Sequence, residues 1–221
     1  MTALAVPDPA DRDDLGAFTA RIVRLDPTAL VRLRGEGRDG PQGARPYVTA
    51  WAATPFDALA TRSVPGTVEP GDVTVAASAL LTALAVDRAA TVDPGPAVPA
   101  HLGDLPPSEG WAVVDDVPAA ELDALAERGL AMARENAGPL GPPASLLDQT
   151  VLTVQGQGPP VKVPLRCLFA LSGMGFLGSG PAGAPGDDTV RVSATGSWLR
   201  LDARFGAVVR RRVTALPLTV A

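Results

Sequence analysis

The run Val161-Lys-Val-Pro-Leu-Arg-Cys-Leu-Phe-Ala-Leu-Ser-Gly-Met-Gly-Phe-Leu-Gly178 constrains this chain more than any other stretch. It concentrates large apolar side chains in a sequence that has few of them. Leu165, Leu168, Phe169 and Leu171 are spaced to share one face of a helix, and Pro164 can open the first turn, where a missing N–H costs nothing. The run therefore predicts a short buried helix at the centre of a core. It also spells G-x-G-x-x-G at Gly173, Gly175 and Gly178. A dinucleotide site needs a helix after those glycines, so that its N-terminus faces the pyrophosphate. Ser179-Gly-Pro-Ala-Gly-Ala-Pro185 cannot supply one, so the motif reads as a helix ended by glycine and followed by a loop.

The rest of the core has to be built from small side chains. Hydrophobic residues make up 46% of the chain but aromatics only 4%, so alanine and valine carry much of the apolar count. Trp51, Trp111 and Trp198 are the few bulky anchors. A length of 221 residues suits one large domain or two small ones. Cys167, the single cysteine, excludes an internal disulfide and a multi-cysteine metal site, and its place in the apolar run predicts a buried, inert thiol. The single histidine, His101, sits among prolines and reads as an exposed linker residue. A metal site or a Ser-His-Asp triad would have to use it, so no metal and no cofactor is expected. The first ten residues lack the basic start of a signal peptide, and no apolar stretch approaches membrane-spanning length. These features predict a cytoplasmic protein with no membrane partner.

Periodicity divides the chain into two units. In the first, Leu15, Phe18, Ile22 and Leu25 form a helical stripe over residues 11–25, after a disordered-looking start. Strands follow at 30–34, 47–53 and, less regularly, 56–64, with a Gly/Arg-rich loop over 35–46. A short strand at 71–76 leads into an alanine- and leucine-rich helix over 76–86. Residues 88–109 hold Pro94, Pro96, Pro99, Pro106 and Pro107 and read as a linker. The second unit opens with a strand at 111–114. A helix then starts at Asp115-Asp116-Val-Pro118, with Leu122, Leu125, Gly129 and Met132 on its inner stripe. Residues 150–155 and 161–163 can pair as a hairpin, and three strands from Thr189 to Val213 make a meander. The expected fold is α+β, with an N-terminal unit over 1–87, a linker over 88–109 and a C-terminal unit over 110–221.

Asp26-Pro-Thr-Ala-Leu-Val-Arg-Leu-Arg34 and Ser197-Trp-Leu-Arg-Leu-Asp-Ala-Arg-Phe-Gly-Ala-Val-Val-Arg-Arg-Arg212, in this arginine-, alanine- and proline-rich setting, resemble hypothetical proteins of actinobacteria. The composition is what a GC-rich genome writes, and the resemblance implies a source and no particular chemistry.

Net charge is −5, but residues 190–221 carry six arginines against one acid, leaving −10 on the remainder. Arg200, Arg210, Arg211 and Arg212 are therefore the candidate anion-binding residues. Strand phase sets Arg211 opposite its two neighbours. Two or three converging guanidinium groups would hold a phosphate or carboxylate. The first expectation is a non-catalytic interaction or scaffold protein. The alternative is binding of nucleic acid or an acidic protein through the arginine-rich meander. An enzyme using Asp115, Asp148 or Asp202 with arginines is the weakest of the three, because nothing in the sequence brings these groups together. Oligomeric state is left open.

Overall fold

The computed structural model describes residues 2–38, 45–86, 89–99, 102–139, 141–156, 159–177 and 188–212. The first unit runs β1 (Ala3–Ala5), α1 (Pro9–Leu25), β2 (Leu30–Arg38), β3 (Arg45–Thr54), β4 (Ala58–Pro65), β5 (Thr67–Glu69), β6 (Asp72–Ala76), α2 (Ala77–Val86) and β7 (Thr91–Val92). The second runs β8 (Ala112–Pro118), α3 (Ala119–Glu135), α4 (Ala144–Leu147), β9 (Thr150–Val154), β10 (Val161–Pro164), α5 (Leu165–Gly173), β11 (Thr189–Thr195), β12 (Trp198–Ala203) and β13 (Gly206–Arg211). The protein is α+β and built of two units, and its C-terminal strands form a meander.

The two units share one sheet. Its strand order is β6-β2-β3-β4-β13-β12-β11-β8, so each unit contributes four strands. The seam is the antiparallel pair β4–β13, with Thr61 opposite Ala207, Ala60 opposite Val208 and Leu59 opposite Val209. Alternation along the strands gives the sheet two unlike faces. Val31, Leu33, Ala50, Ala52, Val192, Leu201 and Val208 point into one apolar core that runs through both units. The helices cover that face: α1 packs on α2 in the first unit, and α3 on α5 in the second. On the opposite, outer face, Trp51, Trp198 and Val209 form a smaller cluster beneath Leu102, Leu105 and Trp111. Residues 102–111 thus lie as a strap across the seam.

The central run behaves as its spacing predicts. In α5, Leu165, Cys167, Leu168, Phe169, Ala170 and Leu171 are all buried. Gly175, at φ +62°, lies in the left-handed region just past the helix end. Gly178, the loop expected as far as Asp187, and Val213, the expected end of the last strand, lie outside the described residues, as does His101.

Several boundaries differ from the sequence reading. The N-terminal residues 3–5 are a strand, paired on both sides by β5 and β7. Three residues are too few for periodicity to reveal. Helix α1 begins at Pro9, because the Asp8 side chain accepts from the Ala10 N–H and caps it. Strand β2 continues through Gly35, Glu36 and Gly37 to Arg38, held in register against β3. The ladder overrides the weak strand preference of glycine there.

The largest correction concerns Asp115, Asp116 and Pro118. They belong to β8, where Thr189 pairs with Pro118 and Arg191 with Asp116, and α3 starts only at Ala119. Pairing with β11 captures residues whose local sequence favours a helix start. The inner stripe of α3 is also rotated, to Leu122, Ala126, Gly129 and Ala133, and Met132 is 44% exposed. Small residues are needed on that face: a Cβ on Gly129 would sit 2.3 Å from Leu165 Cδ1, so α3 and α5 approach too closely for a larger side chain.

Candidate functional site

The structure spreads the four C-terminal arginines over both faces of the sheet and gives three of them carboxylate partners. Arg210, on the helix-bearing side, is 13% exposed. Its Nε donates to the Asp57 carbonyl at 3.1 Å, and its Nη2 to Asp57 Oδ2 at 2.9 Å and Asp148 Oδ1 at 3.3 Å. Arg211 faces the other way, over the Trp198 ring at 5.4 Å, and pairs with Asp104 at 3.1 Å. Arg200 grips Asp202, two residues on in the same strand, with Nε donating to both carboxylate oxygens at 2.8 Å. Arg212 falls just past β13 and donates to the Thr195 carbonyl at 3.4 Å.

The candidate carboxylates are bound up in the same way. Asp148 also accepts from Arg166 Nε at 2.6 Å and Nη2 at 3.1 Å. Those bonds, helped by the charge of Arg210 and opposed by partial burial, hold its carboxyl below the ordinary carboxylate value. Asp116 pairs with Arg191 at 3.0 Å on an exposed strand. Asp115 accepts from the adjacent Asp116 N–H at 2.8 Å. Cys167 is fully buried, and desolvation pushes its thiol up to about 12, well away from a reactive thiolate. Among the described residues, no group of three or more His, Cys, Asp or Glu is placed to hold a metal ion.

Two hollows lie on the outer face, either side of the strap. One, of about 820 Å³, has a floor of short hydroxylated side chains, Thr49, Ser63 and Ser193, and walls that include Arg34, Trp51, Trp111 and Arg200. The Trp51 indole N–H, in this lining, and the Thr61 hydroxyl, opposite Trp51 on β4, are buried without a hydrogen-bond partner. The other, of about 320 Å³, lies at the seam between the units, among Leu59, Leu102, Asp104, Trp198, Val209 and Arg211.

The helix-bearing side carries a cluster that no single stretch of sequence shows. Arg21 and Arg24 lie one turn apart on α1, Arg62 is on β4, and Arg204 is in the turn between β12 and β13. Phe205 is the centrepiece, with the guanidinium carbons of Arg21 and Arg204 at 5.7 and 5.4 Å from its ring centroid. Arg62 Nη1 donates to the Arg204 carbonyl at 3.1 Å, while its Nη2 holds Asp14. Arg24 Nη2 donates to the Gly173 carbonyl at the end of α5, at 3.3 Å. Arg204 meets Asp188 only at 3.6 Å. Arg21 and Arg24 take part in no ion pair among the described residues. Burial above all, then repulsion from Arg24 and Arg62, lowers the pKa of Arg21 against the opposing attraction of Asp14. The spacing of Arg21 and Arg24 was visible in the sequence, but nothing there linked them to Arg62 or Arg204.

Sheet, seam and strap define an α+β scaffold of two units joined edge to edge. Residues 1–102 match a domain of unknown function (DUF8010), and residues 106–215 match a second domain of unknown function (DUF8185). No curated protein matches the sequence. The fold is similar to that of the DNA polymerase III subunit beta from Pseudomonas aeruginosa, with TM-score 0.57 and 13% identity over 98% of this chain and 65% of that one. It is similar in the same way to the DNA polymerase sliding clamp from Bacillus subtilis, with TM-score 0.55 and 14% identity over 98% and 65%. The beta subunit of DNA polymerase III from Thermotoga maritima gives TM-score 0.52 and 11% identity, again over 98% and 65%. The chain therefore spans just under two thirds of the length of these proteins. At such identities the likeness establishes the shared fold.

Proposed function

We propose that this protein is a non-catalytic, clamp-like scaffold that carries protein partners of the DNA polymerase machinery in the cytoplasm. The observation that supports this most is the fold itself, a continuous two-unit sheet like that of the polymerase clamps over nearly the whole chain. The seam hollow suits an apolar anchor from a partner, because Leu59, Leu102, Trp198 and Val209 line it while Arg211 and Asp104 stand at hand for polar contacts. Affinity purification of the tagged protein from its native host tests the reading. Polymerase, replication or repair proteins should be enriched with the wild type and lost with Leu102→Glu, at a half-buried lining position. Enrichment of none of these, or enrichment that ignores the substitution, would overturn it.

The second reading is an acidic protein or nucleic acid at Arg200, Arg210, Arg211 and Arg212. Exposure of Arg211 supports it, since its side chain is 62% accessible. An incoming anion would have to displace Asp104, Asp202 or Asp57 from these groups. Binding there should accordingly be weak and lost at moderate salt.

A further inference from the structure

We propose that the larger hollow on the outer face, between the strap and the sheet, is a binding site for a neutral oligosaccharide. The site goes beyond the scaffold reading and is separate from the seam hollow, so either can fail while the other stands.

Its floor is polar and its wall apolar. Thr49 and Ser63 come to the floor from β3 and β4, and Ser193 from β11 of the second unit. The Thr49 and Ser63 hydroxyls are bonded to each other at 2.9 Å, and Thr49 donates to Glu36 at 3.2 Å. Ser193 differs from both. It is 4% exposed and shares a face with its register partner Arg200, yet its side chain makes no hydrogen bond among the described residues. Such a buried hydroxyl gains from a ligand that bonds it. The wall is the strap, with Trp111 half-buried in it. The Trp111 indole N–H is already spent on the Pro107 carbonyl at 2.9 Å, so what the ring has left to offer is its apolar surface. A pyranose ring matches this division. It presents C–H groups on a face, for the indole, and hydroxyls around its edge, for the floor.

Charge decides against an ion. Arg34 and Arg200 line the hollow against Glu36, Glu109 and Asp202, so the two signs nearly cancel. Arg200 is closed on Asp202, with Nε at 2.8 Å from both oxygens, and Arg34 faces Asp72 at 3.7 Å. An anion would have to compete with these aspartates beside two further carboxylates, and a cation would meet both arginines. A sugar hydroxyl donates and accepts at once, so it can use groups of either sign without displacing them. Size selects the chain length. The hollow is about 820 Å³ and reaches from β2 across the seam to β11, room for several linked rings rather than one.

Saturation-transfer NMR with the full chain and three neutral probes, maltotriose, cellotriose and triacetylchitotriose, tests the site. At least one should bind saturably, with an affinity indifferent to salt. Ser193→Ala removes a hydroxyl that bonds nothing in the protein, so the fold should be kept and binding of that probe weakened about fivefold. Trp111→Ala should weaken it about tenfold. Arg211→Gln, at the seam hollow, should leave it unchanged. No transfer to any of the three at millimolar concentration would overturn the proposal, as would unchanged binding in folded Ser193→Ala. Displacement of the bound trisaccharide by equimolar citrate or spermidine would show an ionic site and overturn the carbohydrate assignment.

Discussion

Arg210→Gln separates a structural arginine from a binding one. Arg210 sits at the seam, reaching from β13 of the second unit to Asp57 in the turn between β3 and β4 of the first. Its bond to the Asp57 carbonyl is worth about 1 kcal/mol net. Its ion pairs involve carboxylates that are 73% and 50% exposed, so solvent screening holds them to about 0.5 kcal/mol each. The total is about 2 kcal/mol, which for a chain of this size lowers the melting temperature by about 4–8 °C. Differential scanning calorimetry at neutral pH reads this directly. Asp57 adds a check on sign. It holds φ +54°, a left-handed conformation that costs a residue with a Cβ more than glycine, and Arg210 bonds both its carbonyl and its carboxylate. In the wild type Asp57→Gly relieves strain but loses the pair, so the two effects nearly cancel. In the Arg210→Gln background the pair is already gone, and Asp57→Gly should raise stability by about 1 kcal/mol. A melting temperature for Arg210→Gln within about 1 °C of the wild type would refute the reasoning. It would return Arg210 to the pool of arginines available for an external anion.

Three further outcomes follow from other parts of the structure. The Asp148 carboxyl is held low by Arg166, so its contribution is complete above the ordinary value of about 4 and is lost as pH falls through the depressed one. The stability gap between wild type and Arg166→Gln should therefore shrink in thermal melts below about pH 4, and a gap that persists at lower pH would contradict the pairing. Cys167, buried with its thiol raised to about 12, should react with a thiol reagent only as fast as the protein opens, and at once in denaturant. Rapid labelling of the native protein would show that the core around α5 is not closed. Gly156→Ala would place a Cβ 1.9 Å from the Val114 carbonyl oxygen, forcing the end of β9 away from β8. We expect a loss of about 1–3 kcal/mol in denaturant unfolding, and a neutral result would mean that this approach is looser than the structure shows.

Much of the architecture was written locally in the chain. Leu165, Leu168 and Leu171 announced a buried α5, and the stripe of Leu15, Phe18 and Ile22 announced α1, because helical period and burial go together. The turn at Thr195-Gly196 and the alternation on either side of it announced the meander, and the phase of β13 set Arg210 and Arg211 on opposite faces. Cys167 was legible as an inert thiol from its apolar neighbours alone. What local pattern could not carry was everything settled by partners distant in sequence. Asp115 and Asp116 have the chemistry of a helix start, yet β11 draws them into a strand, since ladder bonds outweigh a weak propensity. The seam between β4 and β13 joins residues near 60 to residues near 208, and no periodicity records which strand edges will meet. The arginines show the division most clearly. Six of them crowd the last 32 residues and draw the eye, but the fold supplies aspartates from elsewhere to Arg191, Arg204, Arg210 and Arg211, and one from the same strand to Arg200. Arg21, Arg24 and Arg62 are unremarkable in sequence and gather with Arg204 only when α1, β4 and the β12–β13 turn converge on Phe205. Composition fixes how much charge a chain holds, but the distance between charges decides whether it is neutralised or concentrated, and distance is a property of the tertiary structure.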